Sequence, residues 1–141
     1  MIKVKFDTSL FESGMIRMRS AAVQGTIAGM KEAMEKFKDD ALHKPPACPR
    51  DTGWMADHHV ASTKRLGMNI VQGELSVVNT PYAASLHEGI SRWGTPYVYK
   101  TPGTGMKWIE SKALMYREAY INGVSRSFLK AIAALKFIHR R

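Results

Sequence analysis

The sequence is poor in cysteine and in acidic residues. It contains one cysteine, Cys48, in 141 residues. No disulfide can therefore form within the chain, which is typical of a protein from a reducing compartment. Lys and Arg number 21 against 12 Asp and Glu, which gives a formal net charge of +9. A field of that sign attracts polyanions, and nucleic acid is the usual one.

Long apolar runs are also missing. No stretch approaches the roughly 18 apolar residues that a membrane helix needs. Within residues 1–7, charged side chains occupy alternate positions from Lys3 to Asp7, where a signal peptide would have an apolar segment. We therefore expect a protein that is made in a cytoplasm and has no membrane partner. The apolar share, 45%, is ordinary for a globular protein, and the length suits one domain spanning residues 1–141.

The common signatures of enzymes and metal sites are absent as well. Neither the Gly-x-Ser-x-Gly nucleophile turn nor the phosphate-binding Gly-x-x-x-x-Gly-Lys-Ser/Thr loop occurs. No pair of cysteines or histidines has zinc-site spacing, and the adjacent His58 and His59 would face opposite sides of a strand. No activating group stands beside Cys48 in the sequence, which favours an inert thiol. The sequence therefore predicts no enzyme, no metal and no cofactor.

The periodicity that is present predicts an α+β fold. Apolar residues at alternating spacings of four and three indicate a helix over residues 13–42, which Pro45-Pro46 must end. Gly25 and Gly29 each weaken this helix by about 1 kcal/mol, so they suggest either a kink or a close contact with another chain. The expected core stripe of the helix consists of Val23, Ile27, Met30, Met34 and Phe37.

A change to period two after this helix predicts an antiparallel hairpin. Its strands lie over residues 58–64 and 70–79, with Gly73 as a bulge or second turn. Short helices are expected over residues 54–56, capped by Asp51 or Thr52, and over residues 82–88, ended by Gly89. The expected architecture is a long N-terminal helix and C-terminal helices packed on this small sheet.

An extended loop over about residues 90–105 separates the hairpin region from the C-terminal helices. It holds three aromatic residues, Trp93, Tyr97 and Tyr99, among glycines and prolines. Large aromatics on a loop commonly anchor a protein partner, although they could also fold back on their own domain. We expect partner contact.

The last third of the chain reads as two helices with a break near residues 120–123. The terminal helix should bury Ile121, Val124, Phe128, Ala131, Leu135 and Ile138. No acidic residue follows Glu118, so the opposite side is basic. It could touch DNA phosphates or an acidic partner, or be merely solvated. The basic residues on that side are Arg126, Lys130, Lys136 and Arg140.

Two short motifs flank the predicted hairpin. Thr52-Gly53, with Met55 where a leucine is usual, precedes it, and Pro81-Tyr82-Ala83 followed by His87-Glu88-Gly89 comes after it. Their order and spacing, behind a long N-terminal helix, resemble those of the small neck, or tail-completion, proteins of tailed bacteriophages. The resemblance covers about residues 10–135.

This resemblance implies an α+β virion protein without catalysis, located at the neck or tail top. Copies would form a homo-oligomeric ring that contacts head-completion or connector proteins and tail-terminator or tail-tube proteins, with genomic DNA in the lumen. Gly53 and Gly89 would permit tight turns, Tyr82 would pack the short helix on the sheet, and His87-Glu88 would finish that helix near ring contacts. Trp54 and the aromatic loop are not fixed family features, which leaves the ring position open. The alternative is a small basic nucleic-acid-binding protein, although no helix-turn-helix or zinc-finger signature is present.

Overall fold

The structure is a computed structural model that describes residues 3–4 and 9–135, without the side chains of residues 10 and 11. It confirms the α+β fold, with a long N-terminal helix, C-terminal helices and a small antiparallel sheet. In the described part of the chain, no helix is both long and apolar enough to cross a membrane. The elements are α1 (Ser9–His43), α2 (Trp54–Asp57), β1 (His59–Arg65), β2 (Val71–Val77), α3 (Ala83–Glu88), α4 (Trp108–Met115) and α5 (Arg117–Ala133).

Helix α1 is the scaffold on which both strands, α4 and α5 pack. It has 35 residues, a length of about 52 Å at 1.5 Å per residue, and it begins earlier than the predicted residue 13. Glu12 in its first turn and His43 in its last turn suit the charges of the helix dipole. The hairpin packs against α1, and so do α4 and α5.

The hairpin pairs β1 with β2 from His59↔Val77 to Arg65↔Val71. Gly73 lies opposite Thr63 inside this regular ladder, so the prediction of a bulge or turn there was wrong. The glycine serves packing instead. A Cβ atom at position 73 would lie 2.5 Å from the sulfur of Met34 and 2.8 Å from that of Met30. These two residues of the predicted stripe therefore lie directly over the sheet.

The two glycines of α1 mark its crossing with α5. A Cβ at Gly25 would lie 2.5 Å from the Cβ of Ala131, and one at Gly29 would lie 2.7 Å from the Cβ of Ser127. The Ser127 hydroxyl donates a hydrogen bond of 2.9 Å to the carbonyl of Gly25. The sequence suggested either a kink or a close contact with another chain, but the close contact is made by a helix of the same chain.

The C-terminal helices divide at Tyr116 rather than near residues 120–123. Tyr120 therefore lies inside α5, where its hydroxyl donates to Asp40 of α1 across 2.6 Å. This contact fixes which side of α5 faces α1. As a result Ile121, predicted to be buried, is 51% exposed. The predicted core residue Ile138 lies outside the described residues.

The centre of the core is Trp108, at the start of α4, which the helical periodicity had not indicated. The side chain is completely buried. It links the end of α1 and the loop after it with α2 and α3. Its buried apolar neighbours in this cluster are Ala41, Cys48, Met55, Ala56 and Ala83.

Candidate functional site

Residues from both sequence motifs meet at one open cleft. Thr52 and Gly53 from the first motif and Tyr82 from the second line a cavity of about 470 Å³. Tyr99 and Val98 from the extended loop complete its wall. The fold thus brings together three segments that are well separated in the sequence.

The first motif is shaped by Gly53, which has φ 87° and occupies the N-cap position of α2. This left-handed conformation favours glycine. The Thr52 hydroxyl accepts a hydrogen bond of 3.4 Å from the Trp54 N–H. Because Gly53 is the N-cap residue and no side chain caps the helix, the prediction of a cap by Asp51 or Thr52 was wrong. The Trp54 indole N–H donates to the carbonyl of Asn79 at 3.3 Å, and the indole stacks on His58 with ring centroids 4.0 Å apart. Trp54 therefore connects the first motif to the segment just before the second.

The resemblance implied that Tyr82 packs α3 on the sheet, but Tyr82 does not do so. It occupies the N-cap position of α3 with no capping bond from its side chain, and it is 46% exposed on the cleft. The core contact expected of Tyr82 is instead made by the small side chain of Ala83, which is buried. At the other end of α3, Gly89 has φ 79° and forms the predicted C-cap.

The three loop aromatics do not form one exposed group. The Tyr99 hydroxyl donates to the carbonyl of Leu86, and burial raises the pKa of this phenol. Tyr97 is half-buried and its backbone N–H donates to the carbonyl of Gly89 at 3.0 Å. Trp93 is 78% exposed under the guanidinium of Arg92, which lies 4.2 Å from the ring centroid. Of the three, Trp93 has the exposure expected of a partner anchor, whereas Tyr99 folds back on its own domain.

His87 and Glu88 belong to a charged cluster that joins the end of α3 to the start of α4. The Lys107 ammonium lies 2.6 Å from a carboxylate oxygen of Glu88 and 2.8 Å from one of Glu110. Hydrogen bonds from Lys107 and then from His87 lower the pKa of Glu88. Hydrogen bonds to Glu110 and Glu88 raise the pKa of Lys107.

This cluster has the residue types of a metal site, because ligand atoms of His87, Glu88 and Glu110 lie within 4.8 Å of one another. The Lys107 ammonium, however, already lies between the two carboxylates. The Glu110 backbone N–H donates to Nε2 of His87 at 3.3 Å, which occupies the nitrogen lone pair that a metal would use. The cluster is a closed ionic connection between two helices.

A second polar cluster lies where α1 meets α5. Asp40 is buried, and its carboxylate accepts hydrogen bonds from Tyr120 and, at 2.9 Å, from the Lys44 ammonium. Burial alone would raise the pKa of Asp40, but these two bonds outweigh it and lower the pKa. Lys112 of α4 is also buried, and its ammonium donates to the carbonyl of Pro46 at 2.8 Å.

The basic side of α5 forms a groove with α1. Arg126 and Lys130 line this cavity of about 280 Å³ together with Lys36 of α1, which sequence periodicity alone did not connect to them. Glu32 also lines the groove. The other two predicted basic contacts, Lys136 and Arg140, lie outside the described residues.

The buried nucleophile candidates are held in unreactive forms. Burial raises the pKa of the Cys48 thiol to about 11, so at neutral pH it lacks the thiolate that attacks substrates or binds metals. Burial lowers the pKa of His59, whose two ring nitrogens are both hydrogen-bonded.

Comparison of the chain with protein-family models, curated proteins and solved structures finds no match.

Proposed function

We propose that the chain is a structural subunit of the neck or tail top of a tailed-phage virion, where copies form a ring around the DNA channel. The observation that carries the proposal is that Thr52 and Gly53 of the first motif and Tyr82 of the second line one open cleft. If these residues were needed only for local turns, we would not expect them to lie on the same exposed surface. Loops held by a rigid scaffold are, in contrast, the usual place for contacts with other molecules.

The cleft and the loop beside it offer apolar groups to a partner. Trp54, Tyr82 and Val98 line or border the cleft and are exposed, Val98 by 84%. Exposed aromatic and aliphatic groups around a concavity favour protein contact, since aromatic anchors supply much of the binding energy at interfaces. The partner is the next copy in the ring or a neighbouring head-completion, connector, tail-terminator or tail-tube protein.

The role proposed for the chain is mechanical rather than catalytic. Among the described residues, the thiol of Cys48 is protonated and His59 is bonded at both nitrogens. Lys107 already neutralises the carboxylates beside His87. Such groups stabilise the fold, and none of them lines the cleft.

A second candidate is a small nucleic-acid-binding protein that acts outside a virion. The groove lined by Lys36, Arg126 and Lys130 favours it, because clustered cations are the electrostatic footprint of such proteins. The two candidates differ in one respect that is simple to measure: a virion subunit is retained in purified particles, and a free binding protein is not.

Deletion of the gene from the phage that encodes the chain tests the proposal. We expect DNA-filled heads and separate tails in electron micrographs, with joining restored by the gene supplied in trans. Mass spectrometry of purified wild-type particles should detect the chain in several copies. Normal particles from the deletion, or particles that lack the chain, would contradict a neck role.

A pair of matched variants tests the surface. Trp93→Ala combined with Val98→Ala should leave the melting temperature of the isolated chain unchanged and lower the yield of infectious particles. The control is Leu114→Ala on α4, where the side chain is 76% exposed and lies outside the cleft. Equal infectivity of the double variant and the control would remove the loop from the interface.

A further inference from the structure

We propose that the groove between α1 and α5 binds the phosphodiester backbone of duplex DNA. Lys36, Arg126 and Lys130 would contact the phosphate oxygens. The proposal rests on the proposed function only for the source of the DNA, which there is the genome passing through the ring. The binding itself is a property of the single chain.

The three cations are available, unlike several others in the chain. In the described part of the protein, none of the three has an ion pair or hydrogen bond. Lys44, by comparison, is bonded to Asp40. The guanidinium of Arg65 donates to two carbonyls of its own turn. A ligand anion at the groove would therefore gain charged partners without breaking existing bonds.

The groove has room for a phosphate group. Much of its lining consists of small residues, and the long cationic side chains are attached around them. Gly29 and Ala33 come from α1, and Ala119 and Gly123 come from α5. Among the groove residues, the one aromatic side chain is Tyr120, whose hydroxyl is already bonded to Asp40. Such a lining suits backbone phosphates rather than stacked or edge-read bases.

The backbone that carries the cations is rigid. The two helices are held at van der Waals contact by Gly25 and Gly29, and the hydrogen bond from Ser127 to Gly25 fixes their register. Arg126 and Lys130 are one helical turn apart on the same helix, about 6 Å along its axis. Lys36 faces them from the other helix, so an anion in the groove is contacted from two sides.

Glu32 opposes this binding, since its carboxylate lines the same groove. The residue supplies a sharp test. If the ligand is an anion, Glu32→Gln should tighten binding, by roughly two- to threefold for a charge removed several ångströms from the phosphate. If the basic side chains of the groove only contact an acidic protein, Glu32→Gln should not tighten the binding of DNA.

Fluorescence anisotropy of a labelled duplex of about 20 base pairs, titrated with the full chain at several salt concentrations, measures the contact. For three phosphates, affinity should fall roughly 40-fold between about 50 and about 200 mM NaCl. The test variant is Lys36→Gln with Arg126→Gln and Lys130→Gln. The control removes the same charge elsewhere, through Lys31→Gln, Lys64→Gln and Arg17→Gln.

The groove variant should weaken binding at least tenfold at low salt and lower the salt slope by roughly three units. The control should bind within about threefold of the unmodified chain, because screening limits the effect of distant charges. All these side chains are exposed or half-exposed, and circular dichroism melting verifies that each variant folds.

Equal losses in the groove variant and the control would overturn the proposal in favour of bulk charge. Absence of DNA binding by the unmodified chain at the lowest salt would also overturn it. If the groove variant then failed in head–tail joining, the partner would be an acidic protein surface. Because the titration uses the isolated chain, its failure leaves the neck role standing, and absence of the chain from virions leaves the DNA contact standing.

Discussion

The indole N–H of Trp108 donates a hydrogen bond of 3.1 Å to Nε2 of His59, and both side chains are buried. Nδ1 of His59 lies 2.8 Å from the carbonyl of Met55. A carbonyl only accepts, so Nδ1 carries the proton and the imidazole is neutral. Protonation of Nε2 would break the bond to Trp108 and place a charge in the core.

This arrangement predicts a loss of stability in mild acid. Burial lowers the pKa of His59. Below the ordinary histidine pKa of about 6.5, His59 is therefore protonated in the unfolded chain while it is still neutral in the folded chain. Stability from this group is complete above that pH and falls as pH decreases toward the folded pKa, by at most about 1.4 kcal/mol per pH unit.

Thermal melting between about pH 7.5 and pH 5 measures this effect, in a window above the usual carboxyl range. His59→Gln supplies a side chain that accepts from Trp108 but does not titrate, so its melting temperature should change less over the window. A parallel decline in both proteins would assign the acid sensitivity to other groups.

The bond between Tyr120 and Asp40 predicts a specific cost for Tyr120→Phe. The substitution keeps the ring, which packs 5.3 Å from that of Phe37, and removes one of the donors to a buried carboxylate. We expect a loss of about 1–3 kcal/mol in the free energy of unfolding, measured by urea denaturation. Tyr116→Phe is the control, because the cation–π contact of that ring with Lys44 needs no hydroxyl. Equal effects of the two substitutions would mean that the Asp40 bond contributes little.

The helix crossing predicts opposite effects for two glycines of α1. Gly25→Ala places a methyl group 2.5 Å from the Cβ of Ala131 and should destabilise the protein by about 1–3 kcal/mol through overpacking. Gly14→Ala meets no atom within 4 Å and should stabilise it by about 0.5–1 kcal/mol through helix propensity. Denaturant midpoints compare the two. A stabilising Gly25→Ala would show that α5 yields easily at the crossing.

The closed charge cluster at the start of α4 predicts indifference to divalent cations. Millimolar Ca²⁺ should leave the melting temperature of the unmodified chain unchanged, since the Lys107 ammonium lies between Glu88 and Glu110. Lys107→Met should melt at a lower temperature, and Ca²⁺ should restore part of the loss by joining the two carboxylates. Stabilisation of the unmodified chain by Ca²⁺ would instead identify a metal site.

Periodicity predicted the elements well but not the groups that connect them. The stripe that includes Met30 and Met34 located one face of α1, because regular spacing reports which side of a helix is apolar. It could not reveal that Gly25 and Gly29 face α5, since a glycine carries no signal of which chain approaches it. Tyr120 was misplaced at a helix break for a similar reason: its buried partner, Asp40, lies far away in the sequence.

In the candidate site, too, the local turns were predictable from the sequence, whereas the contacts between distant segments were not. The turns at Gly53 and Gly89 were predictable, because a glycine between helical or strand segments indicates a left-handed residue. The exposure of Tyr82 and the inward bond of Tyr99 were not, since both depend on how the loop folds against α3. The addition of Lys36 to the basic groove required the crossing of two helices, which a single helical pattern does not contain.

Because α1 separates the hairpin from α5, the main contacts of each are with α1 rather than with the other. The hairpin has two strands and α5 is one helix, so each has a small cooperative area of its own. Native-state hydrogen exchange should therefore resolve two opening units with different free energies, one on each side of α1. The middle of α1 belongs to both, and its amides should exchange last, through global unfolding.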